Sequence, residues 1–292
     1  MPKRKEWTYY KSQTTPKGLY LPKDKVCIAP NDRGFMLGDG VYEVIRTYNG
    51  KPFCLTEHIA RLKRSLNEVR IDCPDVLKIE AIVFELLKLN KLRDSDATIY
   101  IQITRGVWRR SHTFPTEPVL PTTYMEVMPL TPIAEDTKRG VSAITVSDFR
   151  WGRCDIKAIG LLANCLARQR AKECGAAEAI FVRDGVVTEG THTNLFGVLN
   201  GELVTHPKTN HILAGITRDT VIKLSHNLGV PLHETPLPET KLYELDELFL
   251  VGTTVEIMPV VSVNGKLIGK GTPGKITKLL QKAFNDYVRS GL

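Results

Sequence analysis

"AIFVRDGVVTEGTHTNLFGVLNGELVTH", residues 179–206, changes direction twice within a few tens of positions. Asp184-Gly185 separates one pair of apolar runs and Asn200-Gly201 separates the next. Both dipeptides suit two-residue hairpin turns, in which each central residue takes a positive φ. Asn264-Gly265 repeats the device between "MPVVSV" and "KLIG". Consecutive hairpins make antiparallel neighbours, so the chain lacks the strict β-α-β alternation of a doubly wound sheet and an α+β fold is expected.

Outward from that stretch, helices and strands mix. "LLANCLARQRAKECG" reads as a helix closed by Gly175, and a second helix is expected from Thr217 to about Leu228. A last one begins after Thr272-Pro273, with Ile276, Leu279, Leu280 and Ala283 on its apolar side. Towards the N-terminus, "LTEHIARLKRSLNEVRI" places Ile59, Leu62, Leu66 and Val69 on one helical face behind Thr56 as N-cap. "DVLKIEAIVFELLKLNKL" is a further helix, and in "ATIYIQITRG" Ile99, Ile101 and Ile103 alternate with polar positions as in a half-buried strand. "TTYMEVMPL" is another strand, and the proline-bearing "TPIAEDTKRG" after it reads as a connector. The expected domains are therefore 1–131 and 132–292.

The 292 residues, 42% of them hydrophobic, suffice for a substantial core. The net charge of +8 comes from basic residues dispersed among acids, without an aromatic-interleaved stripe, so nucleic acid is not an expected partner. No run approaches the roughly 20 apolar residues of a membrane helix, and no apolar segment follows the basic N-terminus, so a cytoplasmic protein is expected. The six cysteines are scattered without zinc spacing and read as reduced thiols, with no metal site.

Three stretches carry chemistry-bearing residues. "NDRGFMLGDGVYEVIRTYNGKPF", residues 31–53, is rich in glycine, but Val41, Tyr42 and Glu43 follow Gly40, so the nucleotide fingerprint is broken and a tight turn feeding a strand is expected. Alternation then puts Val41, Glu43, Ile45 and Thr47 on one face and Tyr42, Val44, Arg46 and Tyr48 on the other. Gly215-Ile216-Thr217 opens a helix whose free N–H groups can bind an anion, although Thr217 reads equally as its N-cap. Thr253 and Thr254 after Gly252 make a second hydroxyl-bearing turn, and the two turns together suggest a phosphate. Taken alone, Lys157 is a solvated lysine ahead of a helix and Glu189 an acid at the end of a hairpin.

Taken together with "HIARLKRSL", "TRGVWRRSHTFP", "RCDIKAIGLLANCLARQRAKECG", "ILAGITRD" and "DELFLVGTTVEIMPV", these stretches resemble, in order, the fold-type IV pyridoxal-phosphate enzymes, and among them the D-amino acid aminotransferases. The resemblance runs from about residue 29 to the C-terminal helix. It implies a smaller N-terminal α/β domain and a larger C-terminal pseudo-barrel domain that binds pyridoxal phosphate. It also implies that Lys157 forms the Schiff base and moves the Cα proton, and that Glu189 faces the pyridine nitrogen. Arg61, Ile216, Thr217, Thr253 and Thr254 would hold the phosphate. Tyr42 would be directed at the substrate carboxylate, with Arg110 and His112 completing the trap from the partner subunit of a homodimer with shared sites. The activity implied is ping-pong transfer of an amino group from a D-amino acid, such as D-alanine, to a 2-oxo acid, such as 2-oxoglutarate or pyruvate. The alternatives are a branched-chain L-amino acid aminotransferase, opposed by Arg110-x-His112, and an aminodeoxychorismate lyase.

Overall fold

A computed structural model of the chain describes residues 6–130 and 134–290. The junction expected near residue 132 lies outside the described residues. Backbone contacts gather the chain into two compact units, the first formed by the N-terminal part up to about residue 131 together with Ile156–Gly160.

In the first unit β1 (Trp7–Ser12), β2 (Thr15–Pro22), β3 (Gly40–Tyr48), β4 (Lys51–Pro52), β5 (Ala97–Thr104) and β6 (Thr122–Pro129) form one sheet in the order β2-β1-β6-β5-β3-β4. A short helix, α1 (Arg33–Leu37), precedes β3, and α2 (Leu55–Glu68) and α3 (Ile79–Leu89) supply the apolar faces that cover the sheet. The expected alternation is present: Val41, Ile45, Ile99, Ile101 and Ile103 are fully buried, packed with Leu62, Leu66, Val83 and Leu86. Glu43 and Thr47 share that buried face, whereas Tyr42, Val44, Arg46 and Tyr48 lie half-buried on the other.

Two local expectations are corrected. Cys54, with φ 48°, turns the chain out of β4 and occupies the N-cap of α2, so Thr56 lies inside the helix. The glycine-rich entrance is α1 itself, capped by the Asp32 carboxylate accepting from the Gly34 N–H at 2.8 Å and ended by Gly38 at φ 67°. Its glycines serve close approach as well as turning. A Cβ at Gly34 would stand 2.2 Å from Thr104 Cγ2, and one at Gly40 would stand 2.7 Å from the Ile103 carbonyl.

The second unit contains α4 (Ala134–Arg139), β7 (Val141–Ser147), α5 (Leu162–Glu173), β8 (Glu178–Arg183), β9 (Val186–Gly190), β10 (Asn194–Leu199), β11 (Glu202–Thr205) and α6 (Ile216–Asn227). It continues with β12 (Leu232–Glu234), β13 (Leu237–Pro238), β14 (Glu247–Gly252), β15 (Glu256–Val263), β16 (Lys266–Leu267) and α7 (Lys275–Arg289). The sheet runs β12-β11-β10-β14-β15-β7-β8-β9-β13, with β16 paired to β15. Its two outermost strands are joined through residues 235–236 alone. A chain segment spans at most about 3.5 Å per residue, so the sheet curls until its edges approach, which is a pseudo-barrel.

All three expected hairpin turns have both central residues at positive φ: Asp184-Gly185 at 50° and 75°, Asn200-Gly201 at 52° and 82°, Asn264-Gly265 at 50° and 76°. In α6 the N-cap is Gly215, so Thr217 belongs to the first turn and the capping reading is set aside. On α7 the buried side is Thr277, Leu280, Phe284 and Val288, while Leu279, expected inside, is 41% exposed. The helix begins at Lys275 because Glu247 accepts the N–H groups of Ile276 and Thr277 at 3.0 and 2.8 Å, which fixes the rotation of the helix about its axis.

Candidate active site

The segment carrying Lys157 is stitched to the start of β3. The Tyr42 N–H donates to the Lys157 carbonyl at 3.0 Å, the Ile159 N–H donates to the Gly40 carbonyl at 3.1 Å, and Ala158 bridges Val41. Ile156 is buried in the core beneath, and the Lys157 N–H reaches Ser65 Oγ of α2 at 3.4 Å. The amine is thereby delivered to the half-buried face of the sheet, with Lys157 Nζ 4.2 Å from the centroid of the Tyr42 ring. Tyr100 of β5 is a further neighbour of Tyr42, ring centroids 6.0 Å apart, and donates to Gln102 Oε1 at 2.6 Å. Burial, then the neighbouring Tyr42 and Glu126, pushes the Tyr100 phenol up to about 12, so it stays a protonated donor.

Arg61 lies one strand face away. Its guanidinium forks onto Glu43, Nε to Oε1 at 2.7 Å and Nη2 to Oε2 at 2.8 Å, while His58 Nδ1 lies 2.8 Å from Oε2. Burial alone would raise the Glu43 carboxyl, but the charge and hydrogen bonds of Arg61, followed by those of His58, hold it at about 2. Glu43 is therefore ionised and accepts only, so His58 Nδ1 carries the proton. Burial lowers the His58 pKa against the pull of Glu43, which keeps that imidazole neutral. One carboxylate thus sets the orientation of the expected phosphate-binding arginine. Sequence alternation put Glu43 on one face with Val41, Ile45 and Thr47, without naming its partners or which face is buried; the His58-x-x-Arg61 spacing on α2 was the available signal.

In the second unit Glu189, one residue before the end of β9, is buried among three donors. Arg150 Nη1 donates to Oε1 at 2.6 Å, and Asn194 Nδ2 and the Leu213 N–H donate to Oε2, each at 3.0 Å. Burial pushes this carboxyl up to about 7, with Arg150 the main opposing influence. Asn194 also donates to the Leu213 carbonyl at 2.9 Å, and a Cβ on Gly215 would stand 2.0 Å from Asn194 Oδ1. This packing brings the start of α6, with Ile216 and the buried Thr217, next to the Glu189 cluster. Asn194 pairs with Val251 of β14, and Thr253 and Thr254 follow in the β14–β15 turn, both half-buried. Five expected residues, Glu189, Ile216, Thr217, Thr253 and Thr254, therefore gather at one end of one sheet. Arg150, Asn194 and Glu43 were not among the residues expected at the site.

Arg110 and His112 are both exposed, on the loop that follows β5. The loop itself is anchored. Buried Arg33 donates through Nη1 to the Ser111 carbonyl at 2.7 Å and the Thr113 carbonyl at 3.2 Å, so the backbone on either side of His112 is fixed. Asp39 ties Arg33 to Arg105, each Nε 2.7 Å from Oδ2, and Arg105 stacks on Phe114 at 3.7 Å. The second function of the glycine-rich entrance is thus to supply Arg33 and Asp39 to this anchor.

The family model for class IV amino-transferases matches residues 40–263, and the chain belongs to that family. It is an aminotransferase. It is 39% identical over 274 residues to a D-alanine aminotransferase of Staphylococcus haemolyticus, covering 94% of this chain and 96% of that protein. It is 40% identical to a D-alanine aminotransferase of Bacillus licheniformis, again covering 94% and 96%. Among solved structures, the branched-chain amino acid aminotransferase of Escherichia coli superposes with a TM-score of 0.89 at 28% identity, covering 98% of this chain and 96% of that one. The branched-chain amino acid aminotransferase of Thermobaculum terrenum, in its PLP-bound holo-form, superposes at 0.84 and 26% identity, covering 97% and 94%.

Proposed function

We propose that this chain is a pyridoxal-phosphate-dependent D-amino acid transaminase in which Lys157 is the catalytic amine and Tyr42, Arg110 and His112 receive the substrate carboxylate. The observation that carries this reading is the single contact that places Lys157 Nζ over the Tyr42 ring, because it puts the proton-moving group beside the carboxylate-directed one. The residues present fit the cofactor. In the second unit the first-turn N–H groups of α6 with the Thr217, Thr253 and Thr254 hydroxyls suit a phosphate dianion; in the first unit Arg61 brings a cation already oriented by Glu43. A buried carboxylate already satisfied by three donors, with lone pairs to spare, suits a protonated ring nitrogen.

Pyridoxal phosphate supplies the aldehyde that takes up the amino group and the ring over which the charge left at Cα spreads. The chain's residues do the remainder. Lys157 Nζ would take the proton from the substrate Cα and deliver it on the same face to the carbon that was the cofactor's aldehyde, and the position of the carboxylate trap decides which enantiomer offers its Cα hydrogen to that amine. Glu189 holds the ring nitrogen's proton in place. The second half-cycle hands the amino group to a 2-oxo acid with the same residues in the same roles.

We place the carboxylate trap across a homodimer, since Arg110 and His112 are exposed on their own chain. Leu162 and Leu166, one turn apart on α5, are 74% and 55% exposed, an apolar face suited to a second copy. The six cysteines, Cys27, Cys54, Cys73, Cys154, Cys165 and Cys174, are all free thiols, which supports a reducing compartment such as the cytoplasm. Among the described residues no helix is long and apolar enough to cross a membrane.

Replacing Arg110 with alanine tests the reading. Losing a charge-assisted hydrogen-bonded contact of about 2–3 kcal/mol should raise KM for D-alanine by roughly 30- to 160-fold. The absorbance of the bound cofactor should be unchanged. Unchanged kinetics would move the trap elsewhere, with Arg109 the first alternative.

A further inference from the structure

Glu189 has a second carboxylate close behind its own partner. Arg150 is fixed by Asp148, Nε to Oδ1 at 2.9 Å and Nη2 to Oδ2 at 2.9 Å, and this fork leaves Nη1 directed at Glu189. The guanidinium also reaches the His211 carbonyl at 3.3 Å and lies 4.2 Å over the Phe181 ring, with only 7% of its side chain exposed. The Asp148 side chain is completely buried, and its Oδ2 also pairs with Arg183 at 3.2 Å.

We infer that Arg150 is a positioning residue, held by Asp148, that keeps the Glu189 carboxylate charged and fixed in one orientation. The inference rests on the reading that Glu189 serves the cofactor's ring nitrogen. Only a charged carboxylate retains a proton on that nitrogen; a neutral acid would lend its own hydrogen bond instead and leave the ring a poorer electron sink.

The charge inventory around Glu189 supports this role. Facing it are Arg150, Asp148 beyond Arg150, Arg183 beyond Asp148, and the Cys154 thiol. Burial pushes Cys154 up to about 11, so it is neutral. Asp148 acts on Glu189 in the wrong sense, raising its affinity for a proton, and Arg150 is the cation interposed between them. With Glu189 already at about 7, loss of that cation would carry the carboxyl into its neutral form at working pH. Asn194 and the Leu213 N–H can orient the group but bring no charge.

Arginine is suited to the position because one guanidinium holds two carboxylates at separate nitrogens. A lysine would bring the charge without the fork.

The test uses Arg150→Met, Arg150→Gln and Arg150→Lys, each verified as folded by its thermal transition. In cofactor-free protein carrying labelled glutamate, the Glu189 carboxyl resonance, assigned by its loss in Glu189→Gln, is titrated by NMR. Both neutral variants should raise its midpoint by at least about one pH unit, a tenfold gain in proton affinity, and Arg150→Lys should abolish most of that shift. The dissociation constant for pyridoxal phosphate at neutral pH should rise in parallel, by about tenfold. A midpoint unchanged in a folded Arg150→Gln or Arg150→Met protein would overturn the inference. A raised midpoint with an unchanged pH dependence of the bound cofactor's absorbance would leave Arg150 in its role and instead remove Glu189 from the ring nitrogen.

Discussion

Lys157→Ala yields a folded protein that no longer fixes pyridoxal phosphate covalently and transaminates about ten-thousandfold more slowly, the upper range for one positioned acid–base group. Folding survives because what holds the segment is backbone: the Lys157 carbonyl to the Tyr42 N–H, the Lys157 N–H to Ser65, and Ile156 in the core. The side chain itself contributes its contact over Tyr42, worth about 0.5–1 kcal/mol, so the thermal midpoint moves little. Borohydride treatment followed by peptide mass analysis checks the result. The parent should carry a cofactor adduct on the peptide containing Lys157 and the variant none; an adduct at another lysine, or full turnover, would remove Lys157 from its role. Mixed dimers extend the test. If sites are shared, Lys157→Ala chains combined with Arg110→Ala chains regain, at D-alanine concentrations well below the raised KM, activity that neither shows alone, since one of the two sites then holds both intact residues.

Glu43→Ala is expected to be the most destabilising single change in the first unit. Removing one partner from a buried ion pair costs about 3–5 kcal/mol, because the remaining charge is left without compensation. Here the partner that stays behind is Arg61, whose side chain is 8% exposed and loses its forked carboxylate, and neutral His58 at 1% loses its acceptor as well. The same change frees the Arg61 fork, so phosphate affinity should fall along with stability. The pH dependence has a defined sign. Glu43 is depressed from an ordinary 4.5 to about 2, so its contribution is complete above about pH 4.5 and disappears as pH falls through 2. Urea unfolding of the parent should therefore show a loss of stability between these limits that Glu43→Ala lacks. Equal acid dependence in the two proteins would show that the pair contributes no net stability.

Much of this could be read along the chain because it is local. Hairpin dipeptides require positive φ at adjacent residues, and alternation in β3 and β5 depends on neighbours two positions apart, so both are visible in a few residues. Helix starts were less legible. Thr56 is a good capping residue by type, but the chain direction leaving β4 made Cys54 the cap, a decision taken by the sheet. Leu279 matched the apolar face by spacing, yet Glu247, 30 residues from Thr277, sets which side of α7 is buried. At the site the pattern is the same. Residues proposed to act on ligands came in recognisable stretches, whereas those that orient them came from far away. Arg150 meets Glu189 across 39 positions and Arg105 meets Asp39 across 66, and no local periodicity reports such pairs. The feature common to them is charge burial, which becomes visible only when distant chain segments are packed together.

The most direct test of D-amino acid transamination is a single half-reaction. Purified holoenzyme is mixed with D-alanine or with L-leucine, with no 2-oxo acid present, and the absorbance of the bound cofactor is followed. D-Alanine should convert the cofactor to its amino form and release stoichiometric pyruvate, while L-leucine leaves the spectrum unchanged. Conversion by L-leucine alone would contradict the carboxylate trap assigned to Arg110 and His112 and make the chain a branched-chain L-amino acid aminotransferase.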